Sequence, residues 1–435
     1  MSLFVTKQDR SIIVVMAVLI SVLLTDTMIN QVSDFLARQL TSNFGLITFI
    51  VFGAILGISQ FFILKYVKQK ISSLYSGSPP AKYLHSIVTI MQYLLLGIIT
   101  ALIIQTVFES FYFTYLLVAI TAISYSLNIS LMAYFAKKLI SWYLSNRYSI
   151  VVLLYGISFI FVAITSLMAF TLDTYNLSLK PTQIYPTSEV VFPSYDEGTI
   201  TIIYVFHLVY RYFDLFSFLL VWGSTALLLH GYIQKWKARH WLLICLPLVY
   251  YLSTIIDFFG LYAPSSDSEW FSYYLYISLN TTAGGIFFGF AFLIVARNVH
   301  NESIRGFIVI TAFGFVLLFI SNQVTLVATS FPPFGTVTIS YFGLSSYLIL
   351  IGLYSTALSM SQDVVLRKSI KKSLLDKSRL LGGIGTAEMQ KEIEKWATSV
   401  HGKDDKMRVP PSMTEYDVKS YIQQVVKEIK AKEKY

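Results

Sequence analysis

An all-α fold, a polytopic membrane bundle of about ten transmembrane helices with a short cytoplasmic helical tail, is predicted by three features of the sequence. These are long apolar runs, scarce charge, and basic residues gathered on alternate connections. Hydrophobic residues make up 55% of the 435 and charged residues only 13%, about half the charge a soluble fold carries. The net charge of +9 does not signal nucleic acid, because sixteen of the 33 Lys and Arg fall in residues 361–435. Positive charge belongs to one side of a membrane, and no nucleic-acid partner is expected. Cys245 is the single cysteine, so no intrachain disulfide and no cysteine-based metal cluster can form, and neither a metal nor a cofactor is expected.

Apolar runs of spanning length cover Ser11 to Thr25, Phe44 to Leu64, Leu84 to Phe108, Phe111 to Ala136 and Ser149 to Thr171. Five more cover Thr199 to His230, Trp241 to Tyr262, Trp270 to Ala296, Gly306 to Ala328 and Ile339 to Met360. Most approach or exceed the ~20 residues a helix needs to cross a bilayer. Only Glu109 and Ser110 divide the third run from the fourth. The first run follows a basic start without a small-residue cleavage site, so it is read as a retained span, with Asp26 opening a polar loop.

With the N-terminus inside, fourteen Lys and Arg of the bundle fall on inner segments and only Arg38 and Lys180 on outer ones. This bias predicts a cell-membrane protein with both termini cytoplasmic. Residues 1–360 form the bundle and 361–435 the tail. The outer loop of residues 172–198 is acidic and rich in proline and tyrosine, with Asp173 among its carboxylates and Asn176-Leu-Ser as a glycan acceptor pattern.

The sixth span carries His207, Arg211 and Asp214, which helical geometry places on one face. An ionisable group at membrane depth costs roughly 2.5–3.5 kcal/mol, so it normally faces protein or a wet cavity. Asp257, Asn280, Asn322 and Gln323 reach a similar outer depth in their own spans. Together with Tyr210, Tyr250, Tyr251 and Tyr276 they define a candidate outward-facing polar pocket for a small ligand or a proton. The bland alternative is packing: Arg211 and Asp214, three apart, can neutralise each other, and the amides can hydrogen-bond between helices. Gly53 and Gly57, and Gly285 and Gly289, sit four apart and are expected to let helices approach closely. Pro247 should kink the seventh span.

No phosphate loop, zinc-binding His-Glu-x-x-His or nucleophile elbow occurs, and a non-enzymatic role is expected. Gly382-Gly-Ile-Gly385 is read as a turn between helices. In the tail, Leu366, Ile370, Leu374 and Leu381 recur among lysines and arginines, a basic amphipathic helix suited to the bilayer and its anionic inner-leaflet lipids. Thr386 is expected to cap a second helix, with Met389, Ile393, Trp396 and Val400 as its apolar stripe, and Thr414 a third. Such short helices need the membrane, each other or a protein partner at residues 361–435.

The run Leu366 to Lys395, LRKSIKKSLLDKSRLLGGIGTAEMQKEIEK, resembles the post-membrane segment of uncharacterised multi-pass membrane proteins of ammonia-oxidising archaea. That resemblance implies an archaeal membrane and brings no activity and no functional residues. The layout is also similar to membrane-sensor histidine kinases, but the tail is too short for a kinase core. Three roles follow: a sensor or signal-relay subunit, a secondary transporter of a small polar or anionic solute, and a structural subunit of a membrane complex.

Overall fold

The computed structural model describes residues 7–74, 79–145, 149–186, 197–230, 237–256, 267–299, 301–362, 380–381 and 383–391. Helices dominate. In chain order they are α1 (Lys7–Gln31), α2 (Ser33–Leu40), α3 (Asn43–Leu74), α4 (Pro79–Ile104), α5 (Thr114–Ser145), α6 (Ile150–Ser178) and α7 (Glu197–His230), then α8 (Lys237–Ile256), α9 (Asp267–Ser278), α10 (Asn280–Arg297), α11 (Glu302–Ser321) and α12 (Thr336–Gln362). Among the described residues nine helical stretches are long and apolar enough to cross a membrane, α9 and α10 together forming one of them. The remaining predicted span, the seventh, corresponds to α8, which holds Pro247; the rest of it, Asp257 included, lies outside the described residues. The chain is therefore a polytopic, multi-pass helical bundle.

The boundary between the third and fourth spans falls at Glu109 and Ser110. α4 ends in a π-turn (Gln105–Glu109), and Ser110 then takes a left-handed conformation, φ 55°. The following strand β1 (Tyr112–Phe113) pairs antiparallel with β2 (Gln183–Ile184), placing Tyr112 opposite Ile184. This two-stranded clasp ties the α4–α5 connection to the one after α6.

α12 is the centre. Every residue from Thr336 to Leu353 is buried, and it packs along α11 and α5 with α1, α3 and α4 around it. Its small residues make this possible. A methyl group added at Gly352 would lie 2.7 Å from the Phe307 carbonyl oxygen of α11, and one at Gly343 would strike Leu127 of α5. The hydroxyls of Ser345 and Thr356 return to carbonyls of α12 itself, at 2.7 and 2.8 Å, so they enter the core satisfied. The predicted glycine pairs pack within the bundle: Gly53 and Gly57 face Ile103 and Leu96 of α4, and Gly285 and Gly289 face α11.

Four expectations need correction. Asp26 does not open a loop; α1 continues to Gln31, and Asp26 is fully buried. The outer loop starts later than residue 172, because α6 runs to Ser178 and buries Asp173 and Asn176. The acceptor pattern thus falls on a buried helical asparagine, unsuited to a glycan. Residues 383–391 are helical with Thr386 inside the helix, so neither the glycine turn nor that cap is formed there. The glycines serve close approach instead: a methyl at Gly383 would sit 2.6 Å from Ser149 Cβ, and one at Gly385 3.0 Å from Met360 Cβ. Of the tail's proposed apolar stripe only Met389 is described; the buried residues there are Leu380, Leu381, Ile384, Ala387 and Glu388. The remaining tail residues singled out above, Leu366, Ile370, Leu374, Ile393, Trp396, Val400 and Thr414, lie outside the described residues.

Close packing of α10 on α11 gives a direct test. Gly289→Ala would bring a methyl 2.8 Å from the Ala312 carbonyl oxygen, which belongs to backbone and cannot rotate away. A loss of about 1–3 kcal/mol is expected. Gly97→Ala on α4, with no atom within 4 Å of the added methyl, should leave stability unchanged or raise it. Thermal unfolding of the two purified variants in one detergent separates these outcomes.

Candidate functional site

The connection from α11 to α12, residues 322–335, is not an exposed loop. Val324, Leu326, Phe331 and Phe334 are buried, as is every residue from Thr329 into the first turns of α12. Irregular backbone inside an apolar bundle must find partners for its N–H and C=O groups. α1 supplies most of them. Asp26 accepts from the Gly335 N–H at 2.9 Å through Oδ1, and through Oδ2 from the Thr338 N–H at 3.0 Å and its hydroxyl at 2.7 Å. Asn30 Nδ2 donates to the Phe334 carbonyl at 3.0 Å and to Thr329 Oγ1 at 3.2 Å, and Gln31 Nε2 donates to the Gln323 carbonyl at 2.8 Å. The carboxylate at the start of α12 meets both the unpaired N–H groups of a first turn and the positive end of the helix dipole. Gly335 has φ 91°, and a methyl there would lie 2.7 Å from Asn30 Nδ2, so only glycine suits the position.

Other elements grip the same segment. The Tyr112 hydroxyl donates to the Ser330 carbonyl at 3.0 Å, and Lys180 Nζ to the Thr329 carbonyl at 3.4 Å. Asp173 of α6 accepts from the Thr325 hydroxyl at 3.0 Å and from the Tyr125 hydroxyl of α5 at 3.3 Å. Burial lowers the Lys180 ammonium from its ordinary value to about 8 and pushes the Tyr112 phenol up.

Asp214 stands next to this network. It is half-buried on α7 and accepts from the Tyr251 hydroxyl of α8 at 2.7 Å. The Tyr251 ring lies flat on Phe218, 3.7 Å between centroids. Arg211 acts electrostatically on both Asp214 and half-buried His207. Tyr210 feels Asp214, Arg211 and Asp173 together, so it lies near both carboxylates. A second group gathers where α10 meets α11. Thr282 donates to Gln323 Oε1 at 2.5 Å and Thr281 to the Phe319 carbonyl at 3.0 Å, beside buried Asn280. Asn322 caps α11. Tyr250 donates to the Tyr276 carbonyl at 2.5 Å, and their rings meet edge to face.

The predicted residues therefore form two groups, one on α7 with α8 and one on α10 with α11. The link is Thr325, two residues beyond Gln323 and bonded to Asp173. Among the described residues no group of three or more His, Cys, Asp or Glu could hold a metal ion. Sequence reasoning missed Asp26, Asn30, Tyr112, Tyr125 and Lys180, and assigned Asp173 to a loop. A signal existed for the first two. Met16, Leu19, Leu23, Asp26 and Asn30 recur at spacings of three and four and are all buried, so the apolar stripe of α1 runs on into polar residues without a change of phase. Comparison with protein-family models, with curated proteins and with solved structures gives no match to this chain.

Two measurements test the network. Asp26→Ala leaves buried N–H groups without an acceptor and should cost about 3–5 kcal/mol of stability, whereas Asp26→Asn keeps one acceptor oxygen and should cost less; denaturation of both variants in one detergent checks the order. Below pH about 8 the fold holds the Lys180 ammonium at a desolvation penalty, while the unfolded chain keeps its proton to ~10.4. The unfolded state thus binds more protons in that window, so this lysine makes stability rise with pH there. Lys180→Met should flatten the rise of Tm with pH between about 8 and ~10. Above ~10 the buried Tyr112 works in the opposite direction, so the comparison belongs below it.

Proposed function

We propose that this chain is a non-enzymatic sensor or signal-relay subunit of a cell membrane, of archaeal type as the tail resemblance suggests, with both termini cytoplasmic. Its receiving site is the outward polar cluster of Asp214, Arg211, His207, Tyr210, Tyr251 and Asp173, which takes a small polar ligand or a proton. The observation that carries this reading is the placement of α12. Its first turn is bonded to Asp26 of α1, the segment leading into it is bonded to Asp173 of the cluster through Thr325, and its other end, at Met360, touches the helix of residues 383–391. That helix is docked by specific contacts: Glu388 pairs with Lys138 at 3.2 Å and accepts from Trp142 Nε1 at 2.6 Å. A buried helix bonded at its first turn and packed at its other end on a docked helix transmits a shift from one to the other. A protein partner at residues 361–435 completes the relay.

The test has two arms. Hydrogen exchange of residues 383–391 should change when the external pH of reconstituted protein is lowered or a ligand mixture is added, and Asp214→Asn should abolish the change without lowering the Tm by more than a few degrees. Purification of the full chain from native membranes should bring a stoichiometric partner that a chain ending at Met360 loses. If the exchange never responds and the full chain comes out alone, the relay reading fails.

A second reading, secondary transport of a small polar or anionic solute, draws on a different observation. Beneath Asp173 and Tyr125, fully buried Asn128 donates to Ser166 Oγ at 2.7 Å and accepts from the Ser346 hydroxyl. Polar groups thus continue inward between α5, α6 and α12. Transport predicts solute flux in proteoliposomes that Asp173→Asn or Asp214→Asn removes.

A further inference from the structure

At the opposite end of the bundle from Asp26, a groove of about 600 Å³ runs between α5 and α6. That size falls within the ~300–1,000 Å³ of ligand sites. Ala133, Ala136 and Ile140 form one wall and Ile160, Ala163 and Leu167 the other. The alanines create the space, since a branched residue at any of them would fill it. From Ile129 to Leu144 the α5 wall measures about 22 Å at 1.5 Å per residue, longer than the ~15 Å depth of one leaflet.

The groove ends in positive charge. Lys137, which is exposed, and Ser141 line its end, and among the described residues no carboxylate lines it. Lys391 of the docked helix donates to the Ser141 hydroxyl. The neighbouring Lys138 serves as a contrast. It points to another side of α5, where Glu388 neutralises it and the Trp142 and Tyr354 rings cover it. Two adjacent lysines thus have different surroundings: one is matched within the chain, and the other stands with Lys391 at the mouth of an apolar groove.

We propose that this groove binds one anionic phospholipid, its acyl chain lying between α5 and α6 and its phosphate between Lys137, Ser141 and Lys391. The lipid fastens the docked helix to the bundle. Only the name of the leaflet, the inner one, rests on the orientation proposed above; the chemistry does not. A free phosphate would leave the apolar length of the groove unfilled, and it is the groove together with the charge that specifies a lipid.

Native mass spectrometry of the full chain in detergent, titrated with phosphatidylglycerol and separately with phosphatidylcholine, tests this. One phosphatidylglycerol should remain bound under activation that strips phosphatidylcholine, and inorganic phosphate should not displace it. The double variant Lys137→Gln with Lys391→Gln should lower retention roughly tenfold to thirtyfold, the effect of two basic residues beside an anionic headgroup. Ala163→Phe, which fills the groove and leaves the charges, should abolish retention; the exposed Ala133→Leu does the same with less risk to folding. Lys65→Gln, a basic residue on another helix, should change nothing. Equal retention of the two lipids, full retention in Ala133→Leu, or equal loss in Lys65→Gln would each overturn the proposal. None of these outcomes depends on a response at Asp214, so the lipid site and the relay reading stand or fall separately.

Discussion

A carboxylate buried among apolar helices is ordinarily a liability of several kcal/mol. Asp26 is tolerated because three donors at the start of α12 converge on it, two backbone N–H groups and one hydroxyl, all within 3.0 Å. The dependence is mutual. A helix as completely buried as α12 has no water at its first turn to satisfy its leading N–H groups. The carboxylate of α1 meets that need, and the first turn in return offsets the desolvation of the carboxylate. Remove either partner and the other is left buried without compensation.

Around this contact the irregular segment of residues 322–335 becomes affordable. Its carbonyls receive Asn30, Gln31, Tyr112 and Lys180, and its Thr325 hydroxyl goes to Asp173. These donors come from α1, from the β1 strand and from the stretch after α6, so elements distant in sequence are bound to one short piece of chain. The clasp between β1 and β2 brings Tyr112 and Lys180 to the same end. Small residues on α12 then let α5 and α11 pack closely against it.

The two ends of the bundle differ in chemistry, and this bears on function. At one end carboxylates, tyrosines and amides form a linked cluster with Asp214 and Arg211 at its margin. At the other, α5 meets the helix of residues 383–391, Lys138 pairing with Glu388 and Ser141 accepting from Lys391. The central helix touches both. The polar cluster at one end and the docked helix at the other are thus connected through buried backbone, and the groove beside Lys137 lies next to the docked helix.

What the sequence determined by itself was local. Span lengths, the break at Glu109 and Ser110 and the close-packing glycines follow from hydrophobic length and from residue size, and each was legible without a partner. The need of Asp214 for a polar partner, met by Tyr251, was also legible, since a charged face in an apolar helix needs shelter wherever it is built. The tertiary structure decided what each polar residue near a helix end does. Asp26 looks the same in sequence whether it begins a loop or caps a helix about three hundred residues away, and Asp173 whether it hangs in an acidic loop or receives Tyr125 and Thr325. The glycines of residues 382–385 read as a turn because glycine disfavours helix; at Gly383 and Gly385, contact with Ser149 and Met360 outweighs that preference. Propensity acts over a few residues, whereas the need to satisfy buried polar groups acts between helices that only the folded bundle brings together.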